Sequence, residues 1–140
     1  MLASHVHCRN VGDGPVDELH GFREINAVTL AVADMVRSVA FYSDLGFPVV
    51  DGGEGTPFTT LQAGRSYVNL QLVERYVAPG EVWGRVIFWV DDVDAVYARA
   101  LAGGHHPEFA PTDAPWGERY FHLRDPDGHE LSFARRLAGD

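Results

Sequence analysis

The sequence predicts an α+β domain in which two βαβββ modules form a curled mixed sheet, a cup or half-barrel, with the helices outside. Three observations predict it. An alternating apolar stretch runs into a capped helical stretch at Asp34, the same succession recurs 58 residues later, and each copy is followed by short strand-like segments separated by turn residues. A chain of 140 residues suits one domain that buries roughly two-thirds of the surface its unfolded form exposes.

Residues 1–23 show no sustained period and read as an extension outside the core. His5, His7 and Cys8 have the look of metal ligands, but on a chain terminus that grouping signals adventitious binding rather than function. The domain is expected over 24–140, with modules of about 24–78 and 82–137. From Ile25, Val28, Leu30 and Val32 alternate with Ala27, Thr29 and Ala31, a strand with one apolar face. Asp34 caps a helix whose Met35, Val39 and Tyr42 recur at helical spacing, and Gly46 ends it. Strands are expected at 47–51, 58–62 and 67–73, separated by the turns at Gly52, Gly53 and Gly55 and at Gly64 and Arg65.

After Pro79 and Gly80 the pattern repeats. Leu30 matches Phe88, Val32 matches Val90, Asp34 matches Asp92, Met35 matches Val93 and Gly46 matches Gly104, so duplication accounts for both halves. Strands are expected at 82–90, 107–109, 117–124 and 129–134. Asp125, Pro126, Asp127 and Gly128 specify a tight hairpin, since Asp accepts backbone bonds at the first turn position, Pro presets φ at the second and Gly permits a left-handed exit. That tip reads as structural.

Composition excludes several functions. A formal charge of -9 repels phosphate backbones, so no nucleic-acid partner is expected; the same field favours a cationic ligand, or serves solubility alone. All 11 basic residues are Arg, which excludes Schiff-base chemistry on a lysine amine and a lysine-based phosphate cradle. A single cysteine forbids an intrachain disulfide and suits a reducing compartment. No signal-like or membrane-spanning stretch is evident, so a cytoplasmic protein without a membrane partner is expected.

The strand ending near Asp34, the helix with Phe41, Tyr42, Leu45 and Gly46, the repeat from Val86 and the Asp125 to Gly128 hairpin together resemble the vicinal oxygen chelate superfamily. That group includes glyoxalase I, bleomycin resistance proteins, fosfomycin resistance enzymes and extradiol dioxygenases. The resemblance covers 25–137 and implies modules aligned edge to edge around a cup, commonly in a homodimer. In the metalloenzymes it implies a divalent ion held from the first strand of each module, a middle strand and the last strand. Here those places carry Ala27, Arg85, Asn69 and Ser132, none a usual ligand, so no metal or other cofactor is expected there. His122 and Glu130 offer two ligands for a displaced ion, with no third in view.

Alternation places Thr29, Tyr67, Asn69, Gln71, Arg85, Ile87, Trp89, Tyr120, His122 and Ser132 on the cup's lining, a set suited to a flat molecule with a few polar groups. Each residue also has a plainer role open to it. Trp89 and Tyr67 can fill the cup as core, Arg85 can pair with Glu118 or Glu130, and His122 can be a satisfied, half-buried histidine. As the lining group with a reference pKa near neutrality, His122 is also the candidate general acid or base. His105 and His106 read as loop residues, and Trp83 and Trp116 as rim residues. The leading expectation is metal-independent binding of a small hydrophobic or aromatic molecule, resembling the bleomycin-resistance type. The alternative is a lyase, isomerase or oxidoreductase with a relocated metal or His122-based chemistry.

Overall fold

The computed structural model describes residues 21–138, so the expectations for His5, His7 and Cys8 lie outside the described residues. Strand β1 spans Ala27–Val32, and its Leu30 and Val32 are buried while Thr29 is exposed, as alternation requires. Helix α1 spans Met35–Leu45; the Asp34 side chain accepts from the Arg37 amide, and Gly46 closes the helix at φ 106°. Its buried face carries Met35, Ser38, Val39, Tyr42 and Leu45, spaced three and four apart. Strands β2 (Val49–Asp51), β3 (Phe58–Ala63) and β4 (Ser66–Leu72) complete the first half.

The second half repeats this succession. Strand β5 (Arg85–Trp89) leads into helix α2 (Val93–Ala102), capped by Asp92 through the Ala95 amide. Strands β6 (Thr112–Asp113), β7 (Glu118–Arg124) and β8 (Glu130–Arg136) follow. Two four-stranded mixed sheets result, ordered β1-β4-β3-β2 and β5-β8-β7-β6. In each the first strand runs parallel to the last and the remaining pairs are antiparallel. The identical order is the duplication in structural form, and neither sheet closes into a barrel.

Most strand boundaries shift by a residue or two from expectation, and three differences have a clear cause. Strand β2 starts after Pro48, which has no amide hydrogen for the ladder, and β5 starts only at Arg85, beyond the Pro79 and Gly80 linker. Residues 107–109 are not a strand. Pro107 interrupts pairing, a lone backbone bond from the Glu108 amide to the His122 carbonyl survives, and the short edge strand forms later at Thr112–Asp113.

The helices cover one face of each sheet and touch each other. An aromatic chain crosses the join: Tyr42 meets Phe47 at 5.5 Å, Phe47 meets Phe88 at 5.1 Å, and Phe88 stacks on Phe133 at 5.4 Å. Polar bonds reinforce it. At the hairpin tip, Tyr42 donates to Asp125 Oδ2 at 2.6 Å, while Asp127 accepts from the Ala33 amide, Arg37 and Ser38. His129 bridges the same joint. Its Nε2 faces the Ala31 carbonyl at 2.8 Å and must donate, so Nδ1 is the acceptor for Trp83 Nε1, also at 2.8 Å. Among the described residues no helix is long and apolar enough to cross a membrane.

Candidate functional site

Among the described residues strands β1 and β5 each hydrogen-bond on one side only, and a cavity of about 1100 Å³ opens between these two edges. Its lining includes Val28, Phe47, Tyr67, Trp83, Ile87, Phe88 and Trp89, with Arg85 as the charged group on β5. Tyr67, Arg85, Ile87 and Trp89 are thus the residues of the expected lining that meet here. Trp89 is 49% exposed, with the Arg136 guanidinium 5.8 Å from its ring centre, so it is not core filling. Trp83 is 53% exposed, on a coil at the cavity's margin.

The other expected residues divide between the sheets' open faces. On the first sheet Thr29 lies opposite Asn69, which donates to it at 3.2 Å and accepts from Thr60 at 2.8 Å; Gln71 follows two residues along on the same face. On the second sheet His122 lies opposite Ser132, Ser132 opposite Ile87, and Tyr120 opposite Ala134. These two groups do not line the cavity between the strand edges.

The second face holds the denser chemistry. Arg85 pairs with Glu130, one of its two expected partners, with Nε donating to Oε1 at 2.6 Å. Glu108, His122 and Glu130 each bring a donor atom within 4.8 Å of the others. Burial, then the nearby Arg85 charge, pushes the His122 imidazole down to about 4, so it is neutral at pH 7 and a poor proton donor there. Burial raises the Glu108 carboxyl, and the adjoining Glu130 raises it further. Burial acts upward on Glu130 too, but hydrogen bonds from Glu108 and Arg85 hold it below its ordinary range. The two carboxyls titrate as a coupled pair, with Glu130 the more acidic member.

Glu108 was not foreseen. It lies in a coil where no periodicity operates, and the signal that could have found it is its place in a segment read as strand, next to an arm that carries His122. Elsewhere, Trp116 bonds Glu118 at 3.1 Å, and His105 lies 3.0 Å from Asp44, tying the end of α2 to α1.

The positions where the resemblance places a divalent ion do not fit one. Ala27 offers a methyl group, Asn69 is held between two threonines, Arg85 is cationic and paired, and Ser132 is a buried hydroxyl. No chemistry through such an ion follows from them.

The family description "Glyoxalase/Bleomycin resistance protein/Dioxygenase superfamily" matches residues 24–133. A comparison with curated proteins finds no significant match. Among solved structures, TioX from Micromonospora sp. ML1 is 28% identical with a TM-score of 0.64, over 82% of this chain and 100% of that one. The lactoylglutathione lyase from Agrobacterium tumefaciens is 24% identical, with a TM-score of 0.64 over 82% and 95% of the two chains. A bleomycin-binding protein complexed with bleomycin is 24% identical, with a TM-score of 0.64 over 82% and 98%. At 24% these two likenesses show the fold alone.

Proposed function

Because the chain belongs to the Glyoxalase/Bleomycin resistance protein/Dioxygenase superfamily, we propose that it binds a small, flat, largely apolar molecule, without an ion at the superfamily's usual position. The observation that carries this reading is the cavity of about 1100 Å³ between the free edges of β1 and β5. Its aromatic walls supply stacking area, and Arg85 with the outer edges of β1 and β5 supplies orienting polar groups. The bleomycin-binding protein, bound to its ligand, supports a small-molecule guest on this scaffold. The reading includes a homodimer, supported by the exposure of Ile25 at 75%, Trp83 at 53% and Trp89 at 49% along the cavity lining, and a cytoplasmic location, supported by the single cysteine's fitness for a reducing compartment.

Isothermal titration with bleomycin and other glycopeptide and aromatic antibiotics, in the presence of a chelator, tests it, with sedimentation equilibrium for the dimer. Saturable binding is expected, weakened about tenfold or more by Trp89→Ala, which removes one stacking face. No binding below about 1 mM, or equal binding by the variant, overturns the reading. A second reading, a lyase, isomerase or dioxygenase with a relocated site, draws on the cluster of Glu108, His122 and Glu130. Turnover that a chelator abolishes would establish it.

A further inference from the structure

We propose that Glu108, His122 and Glu130 form a binding site for one borderline divalent cation, Zn²⁺ first among them, on the open face of the second sheet. The residues differ from Ala27, Asn69, Arg85 and Ser132 at the superfamily's usual position. The inference depends on neither functional reading, since the metal alone is the ligand.

Geometry is the first support. The three donors lie within 4.8 Å of one another, and a tetrahedral Zn²⁺ with bonds of ~2.1 Å sets donors ~3.4 Å apart. Closing the set takes about an ångström of side-chain movement. The backbone already holds the three near each other. His122 and Glu130 lie on neighbouring strands, with His122 opposite Ser132 and Glu130 two residues before it, and the Glu108 amide donates to the His122 carbonyl at 2.9 Å. Glu108 sits on coil rather than in a ladder, so it is the member that can adjust.

The second support is independent of the carboxylates. His122 is only 5% exposed, and among the described residues neither ring nitrogen has a hydrogen bond. Its ring is held between those of Phe109 and Tyr120, with centroids at 5.1 and 5.2 Å. An imidazole whose nitrogens make no hydrogen bond to the protein keeps a lone pair available to a metal.

The donor chemistry then selects the ion. One imidazole and two carboxylates suit Zn²⁺, Mn²⁺ or Ni²⁺ better than Ca²⁺ or Mg²⁺, which favour all-oxygen sets. Arg85 donates to Oε1 of Glu130, so the guanidinium acts as an outer partner that orients the carboxylate. With three protein donors, the remaining positions on the ion stay open to water or to a chelating molecule.

The test is titration of chelator-treated full-length protein with ZnCl₂, and separately MnCl₂ and NiCl₂, by calorimetry, alongside thermal melts. One equivalent is expected to bind in the micromolar range or tighter and to raise Tm. Glu108→Gln, which gives up the 3.6 Å ion pair with Arg124 but keeps a hydrogen-bonding side chain, should weaken binding at least tenfold relative to wild type, while its own metal-free melt shows that it still folds. Joint replacement of His5→Ala, His7→Ala and Cys8→Ser should leave binding unchanged. Absence of binding below about 1 mM overturns the proposal. So does binding that survives Glu108→Gln but is lost with the terminal residues.

Discussion

Tyr42 is completely buried, and its only polar atom, the hydroxyl, meets Asp125 on the opposite half of the molecule. Burial and then the Asp125 charge raise the phenol well above its usual range, which favours the protonated, donating form. Tyr42→Phe should cost about 1–3 kcal/mol in urea unfolding, because the carboxylate loses a donor while little packing volume changes. A loss below about 0.5 kcal/mol would show that Asp125 finds another partner.

His122 makes a pH-dependent counterpart. In metal-free protein its folded pKa of about 4 lies below the reference 6.5, so between those values the unfolded chain binds a proton that the folded one does not. Stability should fall as pH drops from 6.5 to 4, by at most about 3 kcal/mol. Asp125, raised by burial, works in the opposite sense, so the contribution is read as the difference between wild type and His122→Gln. Equal pH slopes in the two would refute it. At this scale the strand parity of Thr29, Asn69, His122 and Ser132 was legible, because a period of two fixes which face a residue takes. The partner of a side chain was not: Glu108 reaches His122 through a coil whose path no period encodes.

The elements themselves were the most legible part. Asp34 and Asp92 cap helices because a carboxylate oxygen satisfies an amide of the first turn, a local bond that needs no tertiary context. Glycine at the ends was equally readable, with a difference in detail. Gly46 is itself the left-handed cap of α1, whereas α2 ends through Gly103 in right-handed geometry, and Gly104 then turns at φ 82°. A Cβ on Gly46 would meet the Arg99 guanidinium at 3.4 Å, and Arg99 Nε holds the Leu45 carbonyl at 3.1 Å. Gly46→Ala should therefore cost about 1–2 kcal/mol, measured by chemical unfolding. Gly55→Ala, in open space and without a left-handed φ, is the control and should be near neutral. Equal losses at both positions would remove the argument. The failed strand at residues 107–109 has the opposite cause: strand pairing depends on a distant partner, and Pro107 withholds the bond that would begin it.

For the molecule as a whole, duplication was legible from spacing, while the arrangement of the halves was not, because the sequence does not state which strand edges stay free. Nor did it show how firmly the halves are joined. The Asp125 to Gly128 hairpin belongs to the second half, yet its carboxylates are held by Ala33, Arg37, Ser38 and Tyr42 of the first. The corresponding tip of the first half, around Gly64 and Arg65, carries no acid to return the grip. The halves are thus alike in topology but unequal in dependence. Removing the second would strand a buried tyrosine hydroxyl and a free strand-end amide on the first, so neither half has a stable state to retreat to. Calorimetry should show one transition, with van't Hoff and calorimetric enthalpies equal; two resolved transitions would mean the clasp is weaker than its bonds suggest. An architecture copied twice along the chain would then melt as a single cooperative unit.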